Sequence, residues 1–267
     1  MNSPLTLSWD FAFHQLSAYI LVFCRMTGVV LFNPLLSRKN IPTQFSLALC
    51  LGLAIVIAPG IAETMGPVEQ DIYLVGALGA ELLIGFVWGL IFQVFYYLLF
   101  MAGDAIDLGL GLSMAKVFDR NTNIQMSLSG NLFNMMFVLY LFASNSHLAL
   151  IRLAASSYAI IGPGGAAMDI RLSGFMVDMF LQTMSLVIRL CLPFLAATFT
   201  VEITMGVLMK LVPQINVFSI HFQAKVIMGL LLLFIFTIPV AGFVDHYIIN
   251  MFQQMENALG LMGGSPM

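Results

Sequence analysis

Six apolar runs, at roughly 11–36, 44–61, 72–101, 125–143, 172–211 and 218–243, take up most of this chain. A helix rises about 1.5 Å per residue, and about 20 apolar residues cross a bilayer. Several of the runs reach or exceed that length. In hydrocarbon every backbone amide and carbonyl must be satisfied inside the protein, which leaves helices as the usual solution for long uninterrupted runs. Apolar residues make up 60% of the 267 and charged residues only 9%, far from the balance of a water-soluble globule. The expected fold is therefore all-α: a polytopic, membrane-type protein of long, broken apolar helices and hairpins, with an irregular central loop. The whole chain, 1–267, reads as one domain, with the loop at about 103–124 and a C-terminal amphipathic helix at about 245–261.

The runs are broken at recognisable places. Asn33-Pro34 and Pro59-Gly60 end the first two. Gly162-Pro163-Gly164-Gly165 ends a shorter apolar helix at 148–161, and 212–216 breaks the chain again. Pro193 falls inside the longest run, where it is expected to kink the helix. Gly85 and Gly89 form a GxxxG pair, and Gly76 with Ala80 repeats the small-residue spacing, so this helix has a face that another can approach closely. The tail places Ile248, Ile249, Phe252, Met255 and Leu259 at helical spacing, the pattern of a helix lying on a surface or a partner.

Arg25, Glu81, Arg152, Asp178, Arg189, Glu202 and Lys225 all sit inside apolar runs. A charge at mid-helix in lipid costs at least ~2.5–3.5 kcal/mol, so each must pair, reach water or be covered by another subunit. Asp178 and Arg189 are three turns apart and cannot reach each other. Two readings are open. The charges line an intramembrane pathway in a secondary transporter or channel, or they are structural pairs within and between the chains of a complex. Arg38, Lys39, Lys116 and Arg120 place their connectors on the cytoplasmic side by the positive-inside rule, with the N-terminus outside. The first ten residues carry Asp10 and no base, unlike a cleavable leader.

The central stretch 101–123, MAGDAIDLGLGLSMAKVFDRNTN, fits neither a membrane helix nor a surface loop. It has five charges, including Asp104 and Asp107, and many leucines. Gly109 and Gly111 argue against a regular helix there. Irregular apolar backbone at membrane depth belongs inside protein or along a cavity. It reads as a plug or gating loop, or as an ordinary interhelical loop folded back on the bundle.

Several function classes are excluded. The net charge of −3 gives no electrostatic footprint for nucleic acid. The three cysteines and four histidines show no ligand or disulfide spacing, and Asp104-x-x-Asp107 lacks a third metal ligand. No nucleotide, hydrolase or metalloprotease motif is present, so no enzymatic activity, cofactor or metal is expected.

Five stretches then carry a family likeness: RMTGVVLFNP from Arg25 to Pro34, followed by Pro42; Glu81-x-x-x-Gly85; GDAIDLGLGLSMAKVFD at 103–119; NSHL at 145–148; and EITMGVLMKLVPQINVF at 202–218. In order and in extent the sequence resembles the flagellar biosynthetic protein FliR family, shared with type III secretion export gates. Arg120 stands where the family usually has proline, and His221 where a small residue is usual. The resemblance implies a non-enzymatic export-gate subunit in the flagellar basal body of the bacterial inner membrane, raised largely out of the lipid plane. It implies assembly with P-type and Q-type subunits into a closed helical ring around a pore. Further implied partners are the gate's substrate-switching subunit, other basal-body components, unfolded export substrates and membrane lipid, but no nucleic acid. It also implies that a loop fills the pore: here Gly109, Leu110, Gly111, Leu112, Ser113, Met114 and Phe118. Arg25, Glu81, Asp104, Asp107, Glu202 and Lys225 are the candidate buried or intersubunit charges.

Overall fold

A computed structural model of the chain describes residues 4–36, 41–62, 71–113, 127–165, 170–212 and 217–263. Among these there are eight helices and no strand: α1 (Pro4–Leu31), α2 (Thr43–Ala62), α3 (Asp71–Leu110), α4 (Leu128–Ala143), α5 (Ser146–Ile160), α6 (Arg171–Leu211), α7 (Val217–Ile235) and α8 (Thr237–Met262). Three are long and apolar enough to cross a membrane, or up to five spans if the two bent pairs α4–α5 and α7–α8 each count as one. The protein is all-α and of polytopic membrane type.

The chain divides into two compact units. Unit 1 takes 1–94, 147–179 and 250–267. In it α1 packs on α2 and on the first half of α3. Its core is Leu21, Val22 and Met26 from α1, Cys50 and Ala54 from α2, and Ile84, Trp88 and Ile91 from α3. Gly28 and Gly85 let α1 and α3 touch: a Cβ on Gly28 would stand 2.8 Å from the Gly85 Cα. Gly89 likewise lies directly under Phe32. The GxxxG face is thus used within the chain. Among the described residues nothing lies within 4 Å of where a Cβ on Gly76 would stand.

Unit 2 takes 95–146 and 180–249. Its centre is aromatic. Phe95 and Tyr247 lie 4.8 Å apart between ring centroids, Phe243 stacks on Tyr247 at 5.5 Å, and Phe194 meets Phe236 at 5.3 Å. The Tyr247 hydroxyl donates to the Phe95 carbonyl at 2.9 Å, which satisfies a polar tip that burial would otherwise strand.

Four boundaries differ from the sequence reading. First, α3 does not stop near 101 but continues to Leu110, so 103–110 is helix and the chain leaves it at Gly111. A buried glycine costs a helix only about 1 kcal/mol, less than packing supplies. Second, α2 runs through Pro59-Gly60 to Ala62, since a proline so near the end removes a single ladder bond. Third, the run 218–243 breaks at Phe236, and α7 and α8 are bent by 60°. Pro239 has no amide to offer the Ile235 carbonyl, so the ladder fails three residues before the proline. Fourth, the tail 245–261 is the later part of α8 and is a core element. Tyr247, Ile248, Met251, Met255, Ala258, Leu259 and Met262 are buried. The amphipathic pattern shows that one face will be covered, not by what. Pro193 lies inside the continuous α6.

Candidate functional site

The central stretch is rooted at both ends on the last turns of α3, in unit 2. On the outgoing side, Leu110 is fully buried, and Gly111 adopts φ +74°, which ends the helix. This is the left-handed region that glycine occupies without steric cost. The Gly111 amide reaches back to the Leu108 carbonyl at 3.3 Å. Leu110 rests in a notch at Gly229 of α7, where a Cβ would lie 2.7 Å from a leucine methyl carbon. The side-chain direction of Gly111 points at Phe222 and the Lys225 stem, and that of Gly109 at Thr198 and Leu195 of α6. Lys225 in turn donates from Nζ to Glu202 Oε1 at 2.6 Å, joining α7 to α6.

On the returning side, Ser127 caps α4. Its extended backbone (φ −61°, ψ 130°) puts Oγ where it accepts from the Gly130 amide at 2.9 Å. The same hydroxyl donates to Asp107 Oδ2 at 2.6 Å, and the Ser129 amide donates to that carboxylate at 3.2 Å. Asp107 is buried, with 1% exposure. Among the described groups it meets amide and hydroxyl donors at the positive end of a helix dipole. Gly103 and Gly130 bring α3 and α4 into backbone contact, since a Cβ on Gly103 would overlap the Gly130 amide and Cα. Residues 107 and 111 therefore hold the two feet of the stretch on adjacent turns of one helix.

A separate polar knot lies in unit 1. Arg25 and Glu81, 56 residues apart, form a two-pronged ion pair: Nε to Oε2 at 2.5 Å and Nη2 to Oε1 at 3.0 Å. Both are fully buried. Arg25 Nη1 donates to Ser157 Oγ at 2.7 Å, and Nη2 reaches the Ile161 carbonyl at 3.3 Å. Its guanidinium carbon sits 3.7 Å over the Tyr158 ring. Glu81 Oε1 also accepts from the Gly164 amide at 2.8 Å, at a residue with φ +71°. Three helices and the Gly162-Pro163-Gly164-Gly165 turn thus converge on one pair. A buried pair is tolerable when its remaining donors and lone pairs are satisfied, as here.

Comparison with known proteins fixes the family. Residues 16–251 match the family model described as bacterial export proteins, family 1. The chain belongs to this family. It is 26% identical over 251 residues to the flagellar biosynthetic protein FliR of Bacillus subtilis (strain 168), covering 93% of this chain and 96% of that protein. It is 25% identical over 265 residues to the FliR of Escherichia coli (strain K12), covering 97% of each. The FliR of Caulobacter vibrioides is 26% identical over 221 residues, 82% of this chain and 88% of its own length. The FliR likeness read from the five stretches holds along nearly the whole chain. The long apolar helices and the family together make this a membrane-embedded component of flagellar export.

The candidate residues of this FliR-type chain fall into distinct places. Gly109, Leu110 and Gly111 belong to the helix end and its turn, and Leu112 and Ser113 follow, half-buried. Met114 and Phe118 lie outside the described residues, as do Arg38, Lys39, Lys116 and Arg120. Arg25 pairs with Glu81, and Glu202 with Lys225, both within the chain. Asp107 anchors α4, and Asp104 is half-buried on α3. Arg152, Asp178 and Arg189 are exposed. Sequence reasoning missed Ser127, Ser157, Gly164 and Gly229. Gly164 stood inside the Gly162-Pro163-Gly164-Gly165 breaker, which marks a turn but not a partner for Glu81, and Ser127, Ser157 and Gly229 lay inside apolar runs with nothing local to single them out.

Proposed function

We propose that this chain is a non-enzymatic subunit of the flagellar type III export gate in the bacterial inner membrane, and that its central stretch plugs the pore. It would complete a helical ring with P-type and Q-type subunits in the basal body. The observation that carries the reading is the double anchoring of the central stretch on α3. Leu110 and Gly111 hold one foot and Asp107 with Ser127 the other, which ties both ends of the stretch to adjacent turns of one helix. A plug needs such anchoring, because a freely ranging loop would not seal a channel against ions. The length of α3 and α6 supports placement beyond the lipid plane. At 40 and 41 residues they run about 60 Å, roughly twice the hydrocarbon thickness.

The transporter reading loses support at Arg25 and Glu81. A transport site needs a charge that can change partners, whereas both groups are sealed from solvent and engaged on several sides. In the export reading, glycine and leucine after α3 exclude water when the gate is idle and swing aside for an unfolded substrate.

The test is to shorten the segment after Gly111 and assay purified complexes. Assembly should be retained, as judged by native mass and co-purification of P-type and Q-type subunits, while ion leakage through reconstituted membranes rises. Unchanged leakage in intact complexes would sink the plug. A monomer without those partners would sink the gate assignment itself.

A further inference from the structure

The fully buried Leu110 owes its place to an absent side chain on another helix. Gly229 presents bare backbone to both leucine methyls, at 2.7 and 2.9 Å from where a Cβ would stand. Phe222, Lys225 and Gly229 follow one another at i, i+3 and i+7, so they form one stripe along α7. That stripe meets consecutive residues of the α3 terminus: Gly229 takes Leu110, and Phe222 and Lys225 lie beside Gly111. The Lys225 stem supplies apolar cover while its head is drawn to Glu202 on α6. From these contacts we infer that α7 is a seat for the outgoing foot of the central stretch, with Gly229 as its positioning residue.

The seat fixes where Leu112 and Ser113 begin. Gly111 turns the chain through a left-handed conformation directly after Leu110, so a backbone shift at Leu110 carries Leu112 and Ser113 with it. Gly229 acts through Leu110. The inference deepens the plug reading and rests on it only for its consequence, leakage; the seat stands or falls on its own.

A spin label reads the seat directly. Cys24, Cys50 and Cys191 are replaced by alanine, Leu112→Cys is labelled, and the spectrum is taken in the assembled complex. The parent should show a motionally restricted label. Gly229→Val overfills the notch and should shift the spectrum toward the mobile component, and adding Leu110→Ala should shift it back by restoring room. Gly242→Val, at an exposed glycine with nothing within 4 Å, should leave it unchanged. If Gly229→Val does not assemble, Gly229→Ala replaces it, since its single methyl already displaces the leucine tip. Leakage is measured on the same samples. A mobile label with raised leakage supports both the seat and the plug. A mobile label without leakage supports the seat and removes the plug. An unchanged label in the Gly229 variant overturns the seat whatever the leakage.

Discussion

Ser127 Oγ lies 2.6 Å from Asp107 Oδ2 across 20 residues of sequence, so the chain that leaves α3 at Gly111 returns to a point one turn earlier on the same helix. The hydroxyl serves twice, donating to the carboxylate and accepting from the first turn of α4. Replacing Asp107 by alanine strands a buried hydroxyl and a buried amide together, and should cost about 2–3 kcal/mol. Ser127→Ala removes the cap and one of the carboxylate's donors together, and should cost about 1–3 kcal/mol. Hydrogen exchange at the Ser129 and Gly130 amides checks both. Faster exchange confined to the first turn of α4 is expected, and unchanged protection in Asp107→Ala would show that the carboxylate does not anchor the helix.

The Arg25–Glu81 pair should respond asymmetrically to single and paired changes. Glu81→Gln or Arg25→Met leaves its partner's charge buried and incompletely paired, and should destabilise by about 3–5 kcal/mol. The double change Arg25→Met with Glu81→Gln removes both charges and should recover most of that loss. Thermal unfolding in detergent reads the series. Double-variant losses equal to the sum of the two singles would show that the groups are not coupled.

Two glycine replacements should move stability in opposite directions. Gly103→Ala drives a methyl into the backbone of Gly130, which cannot yield as a side-chain tip can. Overpacking of this kind costs typically 1–3 kcal/mol, about what the better helix propensity of alanine fails to offset. Gly242→Ala meets nothing within 4 Å and should stabilise α8 by up to about 1 kcal/mol. The same unfolding assay compares them, and a neutral Gly103→Ala would refute the close crossing of α3 and α4.

Glu202 and Lys225 should matter less for stability and more for salt. The Glu202 side chain is 45% exposed, so the pair is screened by solvent, and Glu202→Gln should change unfolding far less than Glu81→Gln. Its small effect should fade as ionic strength rises. The charge swap Glu202→Lys with Lys225→Glu should restore the parent's salt response. A swap no better than either single change would argue against direct pairing.

How far the sequence reaches can be judged at particular residues. It marked Arg25 and Glu81 as charges that need partners, because lipid penalises an unpaired charge wherever it lies. It could not join them: 56 residues and two helix directions separate the two, and Ser157, Tyr158 and Gly164 contribute from a third region. It marked Gly109 and Gly111 together as helix breakers. Only Gly111 turns, since Gly109 lies against α6 and packing outweighs the modest cost of glycine in a helix. Gly229 carried no signal at all, because its importance is the space it leaves for a leucine more than a hundred positions away.

By itself the sequence determined that this protein is built of long apolar helices, that it belongs with membranes, and to which family it belongs. Those follow from hydrophobic run length, backbone hydrogen bonding and motif order, all local or additive along the chain. The tertiary structure alone decided where the chain leaves α3, which acid anchors its return, which charges meet and which glycine makes room for Leu110. These are distances between segments remote in sequence, set by close packing that the pattern of any one segment does not encode.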